Sequence, residues 1–123
     1  MAAGWSATTA DAALTAAVGT DAAFVQLHTG DPGAAGTSNV SSVTTRKAAT
    51  WAAAAAGSVV TSNTQSWTNW AGTSPEIVTW ISWWDMAAGG TFGGSAQLAA
   101  AETMLTGDTL ELLSITISIP LAS

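Results

Sequence analysis

A single histidine, His28, stands three positions before Asp31 in the stretch FVQLHTGDPG. An imidazole and a carboxylate at that spacing could act as a general acid and base, or supply part of a metal site. With one histidine and no cysteine in the chain, a zinc site would need its other ligands from carboxylates on distant loops. The same residues have a plainer use. Asp31-Pro32-Gly33 is a turn sequence, because proline presets the first central φ and glycine accepts the positive φ that follows. His28 and Asp31 can organise that turn through hydrogen bonds, and this structural role is the one expected.

The remaining carboxylates suggest no stronger chemistry. Glu76 and Asp85 bracket an apolar stretch and invite comparison with the paired carboxylates of glycoside cleavage. On one extended strand they would stand about 30 Å apart, far beyond that geometry. Asp85 ahead of Gly89-Gly90, and Gly107-Asp108, read as turn residues, with calcium at Asp31, Asp85 or Asp108 as the remaining metal option. Gly89-Gly90 and Gly93-Gly94 lack the context of a phosphate-binding loop. No catalytic residue, cofactor or metal is expected.

Seven tryptophans in 123 residues are the conspicuous chemical resource. Trp67 and Trp70, with one face of the stretch holding Trp80, Trp83 and Trp84, could form a platform for sugar rings, which pack on indole and hydrogen-bond to its N–H. The same five side chains could instead anchor a core and a subunit interface, where tryptophan is a leading hot-spot residue. The anchoring role is the expected one, and glycan binding for host attachment is the alternative.

Composition narrows the class further. Charged residues make up 8%, with eight acids against two bases and a net charge of −6, so a nucleic-acid partner has almost no electrostatic support. Hydrophobic residues reach 48% but are largely alanine, and no run approaches the roughly 18 apolar residues of a membrane span. The amino terminus lacks the basic region and apolar core of a secretory signal. A surface of Ser, Thr, Ala and Gly with few charges is poorly protected against association and suits a protein packed in an assembly.

The elements follow from capping, period and turn signals. Ser6 to Gly19 reads as the one substantial helix, with Ser or Thr as N-cap and glycine as C-cap. A strand from Ala22 ends at the Asp31-Pro32-Gly33 turn, and Gly33 to Ser42 reads as a surface loop. Arg46 and Lys47, the only bases, open a strand as a solvated edge or as salt-bridge partners of an acidic neighbour. The alanines 52–56 favour helix by propensity, but their flanks favour strand, and strand is expected. Alternation resumes over Thr64 to Trp70.

Glu76 to Phe92 reads as a strand turning at Gly89-Gly90, with Thr91 to Leu98 returning. Ile77, Ile81 and Trp83 fall on one face and Val78, Trp80 and Trp84 on the other. Both faces are apolar, so the strand should be covered twice, by its own core and by a second layer or another subunit. Thr103 to Leu105 and Thr109 to Leu113 pair around Gly107-Asp108, and Ser114 to Leu121 is the cleanest half-buried strand. About eight short strands with regular turns after one helix mark a mainly β fold, an antiparallel β-sandwich of Greek-key or jelly-roll type. It forms a single domain over 1–123, with an N-terminal arm and helix over 1–20 and the sandwich over 22–123.

Leu27, His28, Thr29, Asp31, Pro32 and Gly33, then Trp84, Asp85, Gly89 and Gly90, then Gly107, Asp108 and Thr109 together resemble a group of small bacteriophage virion proteins. These are labelled tail fibre or minor tail proteins, and relatives serve as capsid decoration. The resemblance runs from about Phe24 to Ile119, with an alanine run in place of a more varied segment and extra tryptophans in the central strand. It implies a non-enzymatic structural protein at the particle surface, a capsid decoration or minor tail protein. Its implied partners are copies of itself, as a trimer or other symmetric oligomer, and the major capsid or tail proteins.

Overall fold

A computed structural model describes residues 4–122. The first three residues of the expected arm, and residue 123, lie outside the described residues. Helix α1 (Ala7–Asp21) opens on Ser6, whose hydroxyl accepts the Thr9 N–H at 3.3 Å. It runs past Gly19 to a cap at Ala22, where a glycine cap at position 19 was expected. The extension follows from burial, because Ala10, Leu14, Val18 and Ala22 form one inward stripe that holds the last turn down.

Eight strands follow: β1 (Phe24–His28), β2 (Lys47–Ala48), β3 (Ser58–Val60), β4 (Gln65–Trp67), β5 (Glu76–Trp84), β6 (Phe92–Met104), β7 (Leu110–Leu112) and β8 (Thr116–Ser118). The fold is mainly β with antiparallel pairing and one N-terminal helix, as the pattern predicts. One four-stranded sheet has the order β2-β1-β5-β6, and the remaining strands form two separate ladders, β3-β8 and β4-β7. The expected second sheet is thus divided in two, and each half closes its own core.

Directly paired residues share a face of a sheet. Val25 pairs with Trp83 and Leu27 with Ile81, and these side chains meet Trp67 of β4 and Leu110 of β7 in the main core. A second core joins Leu14 and Val18 of α1 to Val59 of β3, with Ile117 of β8 against it. Trp51 and Trp83 pack on both cores and tie helix and sheet together.

The other face of the sheet carries Phe24, Gln26, His28, Trp80, Ser82, Trp84 and Phe92. The chain covers it with residues 29–42, a stretch that includes the segment Gly33 to Ser42 expected as a surface loop. Thr29 and Ser41 donate their N–H groups to Asn39 and Leu27, which fastens the loop along β1. At Gly36 (φ 73°) the loop lies against the Phe92 ring so closely that a Cβ would collide with it. The second cover expected for β5 is therefore supplied largely from within one chain, with Ile77 at the strand's start left exposed.

Two further expectations change. The strands expected at Thr91 to Leu98 and Thr103 to Leu105 are one thirteen-residue strand, β6. Val78 pairs with Glu102 but Trp80 pairs with Gln97, so Thr79 alone faces residues 98–101, and these bulge from the ladder. That shift rephases β5, which places both Val78 and Ile81 in the main core. The alanine run forms neither helix nor a named strand. It is an extended arm joined by isolated pairings of Trp51 with Thr61 and of Ala55 with Ser58, and it reverses at Ala56 (φ 51°) and Gly57 (φ 76°), both left-handed as a tight hairpin turn requires. Asp11 of α1 accepts the Gly57 N–H at 2.7 Å and fixes that turn to the helix.

Candidate functional site

The structure gathers the chemistry-bearing side chains on the loop-covered face of the sheet. His28 ends β1 and is fully buried. Its Nδ1 lies 2.9 Å from the Ser38 carbonyl in the covering loop, and its Nε2 lies 2.7 Å from Ser82 Oγ on β5. Trp84 Nε1, which can only donate, gives its proton to the same Ser82 Oγ at 2.8 Å. Only a protonated Nδ1 can satisfy the Ser38 carbonyl. Nε2 of the neutral ring then accepts from the Ser82 hydroxyl, and every partner is used. Burial holds the His28 pKa below its ordinary 6.5, against the raising effect of the Ser38 and Asn39 backbone, and the Arg46 charge lowers it further.

A serine hydroxyl against a histidine whose other nitrogen is held by a carbonyl has the outline of a nucleophile and base. Here Ser82 and His28 are each 0% exposed. No substrate atom can reach the hydroxyl, and the pair serves as a clasp between β1, β5 and the loop.

Arg46 is the residue that sequence reasoning placed least well. It is no solvated edge: Nη1 donates to the carbonyls of Met86 and Gly89 at 2.8 and 2.7 Å, and Nε to Gln26 Oε1 at 3.3 Å. Its guanidinium lies 4.2 Å from the centre of the Trp84 ring, and Phe92 tilts against that ring at 5.4 Å. Asp85 Oδ1 accepts the Thr91 N–H at 2.7 Å across the same turn, with Gly89 and Gly90 left-handed between them. An arginine just before a short strand carries no pattern by itself. Its position two strands away from a Trp-Asp hairpin emerges only from the pairing order.

The other expected turn residues act locally. Asp31 Oδ1 accepts the Gly33 N–H at 2.8 Å while Pro32 is fully buried. Asp31 and His28 therefore secure different points of the loop and do not bond to each other. Asp108 Oδ2 accepts the Leu105 N–H at 2.9 Å beside Gly107, whose N–H donates to Trp70. Glu76 is buried and accepts from the Ser41 hydroxyl and the Ser42 N–H, so it anchors the loop's far end. Among the described residues no three His, Asp or Glu side chains are grouped to hold a metal ion, and no helix is long and apolar enough to cross a membrane.

The tryptophans divide by burial. Trp67, Trp70 and Trp84 are at most 6% exposed, and Trp80 and Trp83 are half-buried. Trp67 Nε1 donates to the Thr45 carbonyl and Trp70 Nε1 to the Thr73 carbonyl. Both rings are largely held in the main core.

Polar groups and aromatic rings are thus spent on holding loops to a sheet, the economy of a β-rich structural domain. Comparison with family models gives its lineage: the model described as podophage GP4 fiber I protein gp80 matches residues 4–119. The chain belongs to that family, and is a bacteriophage structural protein of the fibre class, associated with the virion. Comparison with curated proteins gives no match.

Proposed function

We propose that the protein is a non-enzymatic subunit of a phage fibre, displayed at the particle surface and working through contacts with copies of itself and with neighbouring virion proteins. The observation that carries this reading is the family match across nearly the whole chain. The internal bonding supports it, since His28, Ser82, Arg46, Asp85 and Glu76 all serve to fix loops. The apolar side chains left for a partner include Ile77 at the start of β5, Met86, Leu105 and Leu113. In a fibre such groups are buried many times over by one repeated contact.

Gold-labelled antibody against the purified chain, imaged on intact particles, tests the assignment. Label on the fibres is the expected result. Label spread over the shell would make the protein a capsid decoration, the role to which small size and a low-charge surface also point. Particles without label would remove the virion reading altogether.

A further inference from the structure

Both bases of the chain, Arg46 and Lys47, lie at the β2 edge of the four-stranded sheet. Arg46 is committed to the Met86 and Gly89 carbonyls. Lys47 has no carboxylate within 4.0 Å among the described residues, and it stands beside a hollow of about 210 Å³ walled by Val43, Trp67 and Trp70.

A second surface, between β6 and β7, is acidic and apolar. Glu102 of β6 and Glu111 of β7 line one groove with Leu98, Ala99 and Leu113. Leu110 and Leu112 turn towards the core, so Glu111 and Leu113 share the outward side of their strand. Leu113 is 74% exposed, the most exposed large hydrophobic residue described. Asp11, Asp31, Glu76, Asp85 and Asp108 each accept a backbone N–H within the chain. Asp21, Glu102 and Glu111 accept none from the described residues; Asp21 ends α1, whereas Glu102 and Glu111 are exposed together on the groove.

We propose that this chain associates head to tail with a second copy, Leu113 of one entering the hollow beside Lys47 of the next while Glu111 and Glu102 pair with that lysine. It rests on the subunit-contact reading above and gives it a surface. Charge decides between the two ways in which copies could meet. The thirteen-residue edge strand β6 has no lysine or proline and is broken only by the 98–101 bulge, so symmetric pairing of two β6 edges is the rival contact. That pairing would set the two acidic grooves against each other, whereas the head-to-tail contact brings carboxylates to the free cation. Because the contact joins two different patches of the chain, its repetition generates a ring or an open filament and not a self-complementary pair.

Sedimentation velocity of the full chain over a wide concentration range tests this. The expected result is a mass that rises with concentration beyond a dimer and falls at high salt. Lys47→Glu and Glu111→Lys should each weaken association by about tenfold or more, and Leu113→Ala by about tenfold. The doubly substituted chain, or an equimolar mixture of the two single charge variants, should regain it, which loss of folding would not allow. A wild-type chain that stays monomeric, a limit at the dimer, or charge variants that assemble like wild type would overturn the proposal. So would Lys47-dependent quenching of tryptophan fluorescence by glucuronate with association untouched by Glu111→Lys, which would give the hollow to an acidic sugar. Label on the fibres combined with unaltered assembly of the variants rejects this contact and leaves the fibre assignment standing.

Discussion

The Nε2 atom of His28 accepts a hydrogen bond from Ser82 Oγ at 2.7 Å across the β1–β5 pairing, 54 positions away in sequence and closed to solvent. The bond needs a neutral imidazole, since Nε2 accepts while Nδ1–H donates to Ser38. Burial keeps the folded-state pKa below 6.5, so the unfolded chain binds the proton more readily. The stabilisation is fully present above about pH 6.5, the unfolded value, and is lost as pH falls below it towards the folded value. Urea unfolding at about pH 7.5 and pH 5 should show a larger loss of stability for wild type than for His28→Gln. Equal losses would place the acid sensitivity elsewhere.

Ser82 carries two partners at once, and its removal leaves both without a bond. Ser82→Ala should cost about 1–3 kcal/mol, because the Trp84 N–H and the His28 acceptor stay buried and unpaired. Denaturant midpoints measure this, and Ser82→Thr should recover part of the loss where its methyl group can be accommodated.

Arg46 holds the 86–90 turn by two carbonyls and covers the Trp84 ring, a combination that a lysine's point charge cannot reproduce. Arg46→Lys should therefore behave nearly as Arg46→Ala. In either variant the amides of residues 87–91 should exchange hydrogen faster than in wild type, following the loss of charged hydrogen bonds worth about 1.5–3 kcal/mol. Unchanged exchange in the lysine variant would show that charge alone holds the turn.

Gly36 is the point of closest approach between the covering loop and the sheet. Gly36→Ala imposes both a left-handed backbone on alanine and a collision with Phe92. Its expected cost exceeds about 1 kcal/mol. Phe92→Leu in the same chain should relieve the collision but not the backbone strain, so thermal melts of the single and double variants separate the two causes.

Local signals in the sequence carried much of this architecture. Ser6 and the alanines after it set the helix start, the Asp31-Pro32-Gly33 and Gly107-Asp108 turns close as expected, and period two located β1, β5 and β7. The misses share one cause, which is pairing over long separations. Nothing near Ala99 to Ala101 announces that these alanines bulge out of a long strand opposite Thr79. Ser114 to Leu121 shrank to Thr116–Ser118 because its partner, β3, is only three residues long. Ile115 and Ile117 then enter different cores.

The clasp was half legible for the same reason. His28 and Trp84 stood out by type, whereas Ser82, Ser38 and Arg46 are ordinary residues whose roles come from what the fold brings beside them. The two-faced apolar character of β5 was read correctly, but its second cover lay in the segment with the weakest pattern. A loop that makes its bonds through backbone carbonyls leaves little trace in side-chain periodicity.

The two short ladders have a consequence for the order of events during synthesis. β3 waits for β8, with Ser58 opposite Ser118, and β4 waits for β7, with Gln65 opposite Leu112. The four-stranded sheet can pair without β7 and β8, but its core side remains open until those strands dock. For that interval Trp83, Ile81 and Leu27 face water beside the long β6 edge. A chaperone that binds extended apolar strands would find its substrate there.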